Sequence, residues 1–142
     1  MSAIERLTAA IEGRHPERID SLFADDAKFY SPMKFSPLVG REVISTVLRV
    51  LLTSVFDDFR YVGGLGGRCE TWEGDPLDAH VLVFRATVGE REVHGIDLIH
   101  LNDAGLVQEF TVMLRPRSAV QAVAERVNAG LVREGVLDPQ QI

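Results

Sequence analysis

Apolar residues recur at helical spacing along the first third of the chain. Ile4, Leu7 and Ile11 predict an amphipathic helix over residues 2–13, ended by Gly13. Pro16 then opens a shorter helix with Ile19, Leu22 and Phe23 on its inward face. AKFYSP reads as a short strand stopped by Pro32, and MKFSPLVG as a loop. REVISTVLRVLLTSVF is a long helix whose stripe runs through Val43, Val47, Val50, Leu51 and Val55. After residue 56 the period changes from helical to alternating. FRYVGGL, RCETWEG, AHVLVFRATVG, REVHGIDLIHL and LVQEFTVMLR are five strands in succession, joined by GG, GDP, VGE and NDAG. Joins this short require mostly antiparallel pairing. The chain returns to helical spacing at Val120, Val123, Val127 and Leu131, which predicts a last helix over about 117–134.

Helices gathered early and strands gathered late predict an α+β fold, with helices on one face of an antiparallel sheet. A small-molecule pocket is expected between the two layers. No repeat, low-complexity run or long linker interrupts residues 1–142, so one domain is expected.

Composition narrows the function. The net charge is −6, from 15 basic and 21 acidic side chains, and no basic cluster stands out. A nucleic-acid partner is therefore not expected. Cys69 is the single cysteine, which rules out an internal disulfide and a cysteine-based zinc site. His15, His80, His94 and His100 lack the close pair spacing of a metal site, so no metal is expected. MSAIERLTAAIEGR lacks the basic-then-apolar layout of a signal peptide. The longest apolar run is broken by Ser45, Thr46, Arg49, Thr53 and Ser54, well short of a membrane span. A cytoplasmic protein without membrane attachment is the expectation.

One strand carries the main chemical question. In GIDLIHLNDAG, residues 95–105, Asp97 shares a face with Ile99 and Leu101, while Ile96, Leu98 and His100 point the other way. A carboxylate on an apolar face is costly unless it is paired or kept neutral by a raised pKa.

Three passages resemble the nuclear transport factor 2-like superfamily, the cone-shaped α+β fold that includes SnoaL-like cyclases and ketosteroid isomerases. LFADDAKFYSP resembles the passage joining its second helix to its first strand. GREVISTVLRVLL resembles its third helix, and GIDLIHLNDAGLVQEF its penultimate strand, turn and last strand. The likeness covers about residues 3–115, with the C-terminal helix additional. It implies helices packed on a curved sheet that encloses a pocket, and chemistry without a cofactor.

The resemblance also assigns roles. In ketosteroid isomerases a protonated aspartic acid and a tyrosine donate hydrogen bonds to the enolate oxygen. Asp97 and Gly105 match the spacing of the passage that carries this acid. Ser31 stands at the position of the general base, however, and Leu7 stands near that of the tyrosine on the first helix. The carboxylate–arginine–carboxylate set of limonene epoxide hydrolases is also incomplete, with Gly95 at the arginine position and Val112 where the second carboxylate would lie. A SnoaL-type cyclase needs one acid/base group, for which Asp97 is the candidate with His80 as helper. His80 alternates with Leu82 and Phe84, whereas His94 falls opposite Asp97.

The expected pocket is lined by Phe29, Ser31, Leu82, Phe84, Asp97, Ile99, Phe110, Val112 and Leu114, with His80 beside it. Such a pocket suits a small hydrophobic molecule anchored through an oxygen by Asp97, with no established reaction. The alternative is a cofactor-free isomerase, polyketide cyclase or hydratase-type enzyme using Asp97, with His80, for proton transfer. The polar face of the last strand, with Glu109, Thr111 and Arg115, is expected to pair two copies as a homodimer, with Arg115 and Glu109 forming its salt bridges. Trp72 is expected at a sheet edge or between subunits. YVGGLGGR is not followed by a helix and so is not a phosphate-binding loop.

Overall fold

The computed structural model describes residues 1–135. Helix α1 (Ala3–Glu12) is capped at its start: Ser2 Oγ accepts a hydrogen bond from the Glu5 amide at 3.1 Å. Its buried face is Leu7, Ala10 and Ile11. Two short 3-10 turns follow, Pro16–Arg18 and Asp20–Leu22, in place of the expected second helix. Phe23 begins strand β1 (Phe23–Tyr30) instead of closing a helical face. It is fully buried and stacks on Phe110 at 6.0 Å. Packing of that ring on the sheet overrides the local helical spacing.

Strand β2 (Leu38–Val39) lies within the expected loop. Helix α2 (Arg41–Val50) continues into a π-helical turn over Leu51–Val55. The long strands are β3 (Asp57–Glu70), β4 (Pro76–Val88), β5 (Arg91–Leu101) and β6 (Val107–Arg115). FRYVGGL and the first three residues of RCETWEG are thus one strand, and Gly66–Gly67 is no turn: the two pair with His80 and Ala79 of β4. A register shift between Tyr61 and Gly63 places a bulge at Val62, just before the glycines. Helix α3 (Arg117–Arg133) closes the described chain.

The six strands form a curved, open sheet of order β2-β1-β6-β5-β4-β3. The expectation of an antiparallel sheet fails at one place: β1 and β6 run parallel. Hairpin joins dictate antiparallel pairing only for consecutive strands, and β1 and β6 are far apart in sequence. The β5–β6 turn is built by Asn102, whose side-chain oxygen accepts from the amides of Ala104 and Leu106, with Gly105 at φ +78°.

Register defines the inner face of the sheet. Phe29, Phe110, Ile99 and His80 form one row across it. Val112, Asp97 and Leu82 form the next, and Leu114, Gly95, Phe84 and Tyr61 the third. Against this face pack Leu7 and Ile11 of α1, Ile44, Val47 and Leu48 of α2, and Val123 and Leu131 of α3. No helix among the described residues is long and apolar enough to cross a membrane.

Candidate functional site

Between the helices and the inner sheet face lies a cavity of about 540 Å³. Strands contribute Phe29, Phe84, Asp97, Phe110, Val112 and Leu114 to its wall. Helix α2 and its π turn contribute Val47, Leu48, Leu51 and Leu52, and α3 contributes Val123, Val127 and Leu131. The π turn swings Leu51 and Leu52 together toward the cavity, and such turns are frequent at functional sites. Among the described residues, polar side chains enter the wall at two places: Asp97, and Ser31, Lys34 and Ser36 of the loop after β1.

Asp97 is 4% exposed, although it borders the cavity. Its Oδ2 accepts a hydrogen bond from the Tyr61 hydroxyl at 2.6 Å, among the described residues its one hydrogen bond. Burial raises the Asp97 pKa to about 7, against the opposing effect of the Tyr61 hydrogen bond, which favours the charged form. Near neutrality this carboxyl is therefore divided between acid and carboxylate. Burial, and then the charge of Asp97, push the Tyr61 hydroxyl well above its ordinary value, so Tyr61 stays the donor. The tyrosine ring is fixed by Phe59, edge-on at 5.1 Å, and its own backbone amide donates to Glu12 of α1.

No family model matches the chain, and none of the curated proteins does. Solved structures do. One is an uncharacterised protein with a cystatin-like fold from Silicibacter pomeroyi, 30% identical, covering 94% of this chain and 87% of that one with a TM-score of 0.82. Another is a steroid Δ-isomerase from Pseudomonas aeruginosa, 35% identical over 95% of this chain and 93% of that one, TM-score 0.79. A third is an NTF2-like protein of unknown function from Cytophaga hutchinsonii, 16% identical over 82% and 89%, TM-score 0.56. The chain belongs to the nuclear transport factor 2-like superfamily.

Within that superfamily's cone, Phe29, Ser31, Phe84, Asp97, Phe110, Val112 and Leu114 all line the cavity, as their parity indicates. Leu82 and Ile99 lie on the correct face, but they are sealed in the core and do not border the cavity. His80 is corrected too. It occupies the end of its row, outside the cavity wall, 3.4 Å from the carboxylate of Asp78. Alternation fixes the face of a strand residue but not how far along the strand the cavity extends. His94 points away, with its Nδ1 3.4 Å from Arg115.

Ser31 follows Tyr30, which pairs with Thr111, so it falls level with Val112 and Asp97. Two strand spacings put it about 10 Å from Asp97. Its hydroxyl accepts from the Met33 amide at 3.2 Å. Gly95 leaves no room for an arginine of the epoxide-hydrolase type, because a side chain there would run into Phe84 and Leu114. Glu109 is buried and accepts from the Trp72 amide at 3.2 and 3.3 Å, so its own chain already engages it. Trp72 sits in the β3–β4 turn, packed on Tyr30 and Phe35.

The tyrosine is where the sequence misleads. Leu7 does stand in the first helix and is fully buried. The phenol that meets the acid comes from β3. Its signal was the one hydroxyl in the inward alternation of Phe59 and Tyr61, which an element-by-element comparison passes over.

Proposed function

We propose that the protein binds a small, largely hydrophobic molecule in this cavity, with Asp97 as the polar anchor for an oxygen of the ligand. One observation carries the reading: a buried carboxyl at the wall of an otherwise apolar cavity, held on one oxygen by Tyr61 and with no second hydrogen bond among the described residues. As an acid it donates to a carbonyl; as a carboxylate it accepts from a phenol or alcohol. Thermal-shift measurements against steroids, phenols, polyketide-like aromatics, terpenoids and fatty acids test it. A ligand at a hundred times its Kd stabilises by about 2.7 kcal/mol. A hit whose shift falls in a cavity-filling Val112→Phe variant supports the proposal, and a flat panel rejects it.

The likeness to the Pseudomonas aeruginosa steroid Δ-isomerase favours a second reading, a cofactor-free isomerase. With Ser31 unable to act as a base unaided, Asp97 itself would carry the proton. As carboxylate it would take a proton from the carbon between a carbonyl and an alkene. As acid it would return that proton to the far alkene carbon, leaving a conjugated enone. Turnover of a β,γ-unsaturated ketosteroid, read as enone absorbance and abolished in Asp97→Asn with binding retained, would establish it.

The outer sheet face supports a homodimer: Leu65 and Met113 are exposed there, at 74% and 47%. A monomer in sedimentation at micromolar concentration would reject that pairing. A cytoplasmic location belongs to the same proposal, and fractionation of the native cell tests it.

A further inference from the structure

Among the described residues on the cavity wall, Lys34 and Ser36 alone are exposed, while Asp97, Phe29, Phe84 and Phe110 are buried. The two exposed residues mark where the cavity meets solvent. Both belong to the loop 31–37, whose ends are tied by the pairing of Phe29 with Leu38. Phe35 lies between them in sequence and packs edge-on against Trp72 at 4.9 Å, and Met33 packs on the core. The loop is thus held on two sides, with Lys34 and Ser36 left at the mouth.

The charges on this wall are set apart. Lys34 and Asp97 are its two ionisable side chains among the described residues. The chain has two lysines. Lys28 is paired, 2.8 Å from Glu73. Lys34 has no carboxylate within 4.0 Å among the described residues. Its stem covers apolar surface while its ammonium stays in water. Ser31 accepts from the Met33 amide, which leaves its hydroxyl hydrogen to be donated, and Ser36 adds a second hydroxyl. The mouth therefore offers donors, and the carboxyl of Asp97 lies deeper, about 10 Å from Ser31 across two strand spacings.

We infer that the cavity's ligand is an amphipathic acid, held by its anionic head at Lys34, Ser31 and Ser36, with its apolar body running inward toward Asp97. The inference rests on the proposed function, to which it adds the charge and direction of the ligand. Burying a charged head among the inner apolar side chains is costly, so the head belongs at the mouth, where water and an ammonium both reach it. The opposite orientation sets an anion against the carboxyl of Asp97 and leaves Lys34 without a partner.

Neutral phenylnaphthylamine, a fluorescent probe, reports on the cavity in the full chain. Its displacement by decanoate and by decanamide, at about pH 8 where the acid is ionised, compares one apolar body with and without the charge. Lys34→Gln is expected to weaken decanoate about fivefold and to leave decanamide and the probe within about twofold. Lys34→Arg is expected to retain decanoate. Lys34 is exposed, so neither variant disturbs the core. Equal effects of Lys34→Gln on both competitors, or none on decanoate, overturn the inference. So does a probe that neither competitor displaces. Weakening of decanoate by Lys34→Arg as much as by Lys34→Gln assigns the effect to loop shape instead of charge, and overturns it as well. Failure of phenylnaphthylamine to bind the unmutated protein removes the cavity reading itself, and that probe alone shows it.

Discussion

Tyr61 and Asp97 sit on strands that do not touch, and they share a hydrogen bond of 2.6 Å across the strand between them. Tyr61 lies opposite Phe84, and Phe84 opposite Gly95, so the phenol passes over β4 to reach the carboxyl two residues further along β5. Gly95 makes the crossing possible, because the Phe84 ring occupies the space over it.

Removing the phenol hydroxyl should raise the acid further. The Tyr61 hydrogen bond opposes the burial of Asp97, so Tyr61→Phe is expected to move the Asp97 titration above about 7. Carbon-detected NMR of the Asp97 carboxyl measures it. A downward shift would mean that Tyr61 does not hold the carboxylate. The lost bond should also lower stability by about 1 kcal/mol.

Stability should fall as pH rises. The folded-state pKa of Asp97 is raised from 3.8 to about 7, so the folded protein binds the proton more tightly than the unfolded chain. The stability contributed by the acid form is fully present below about pH 4 and is lost progressively as pH rises through about 7. Between about pH 5 and 8 this group should remove about 2–3 kcal/mol. Asp97→Asn keeps an acceptor for Tyr61 and has no charge to bury. Urea unfolding at the two pH values should show that loss in the unmutated protein and not in the variant.

Filling the space over Gly95 should disturb the site from beneath. Gly95→Ala drives a methyl group into Phe84 and Leu114, both of which line the cavity. Overpacking of this kind costs about 1–3 kcal/mol. A lowered Tm together with weaker phenylnaphthylamine binding is expected, and an unchanged pair of values would show that the two side chains yield freely.

His80 should be dispensable for binding. It stands outside the cavity wall beside Asp78. His80→Gln is expected to leave probe affinity and any turnover within about twofold, less than a single lost hydrogen bond would change them. A tenfold loss by fluorescence titration would restore it to the site.

Leu131 should matter for closure. It is 2% exposed and contributes α3's last side chain to the cavity wall. Leu131→Ala is expected to cost about 2–5 kcal/mol in chemical unfolding. A loss under about 1 kcal/mol would show that α3 does not hold the roof.

The sequence by itself determined which residues face inward. A period of two along β4, β5 and β6 assigned Phe84, Asp97, Phe110, Val112 and Leu114 to one side, and a period near 3.6 found α1, α2 and α3. These signals are local and survive any arrangement of neighbours. Tertiary structure decided everything that depends on distance. Fusing two expected strands into β3 set Tyr61 in the row of Phe84, and the parallel β1–β6 pairing brought Ser31 level with Asp97. The extent of the helices over the sheet left His80 outside and sealed Leu82 and Ile99 in the core. The meeting of Tyr61 with Asp97, separated by 36 residues, follows from strand order and register. Those are set by burial and ladder pairing across the whole sheet, and no window of sequence contains them.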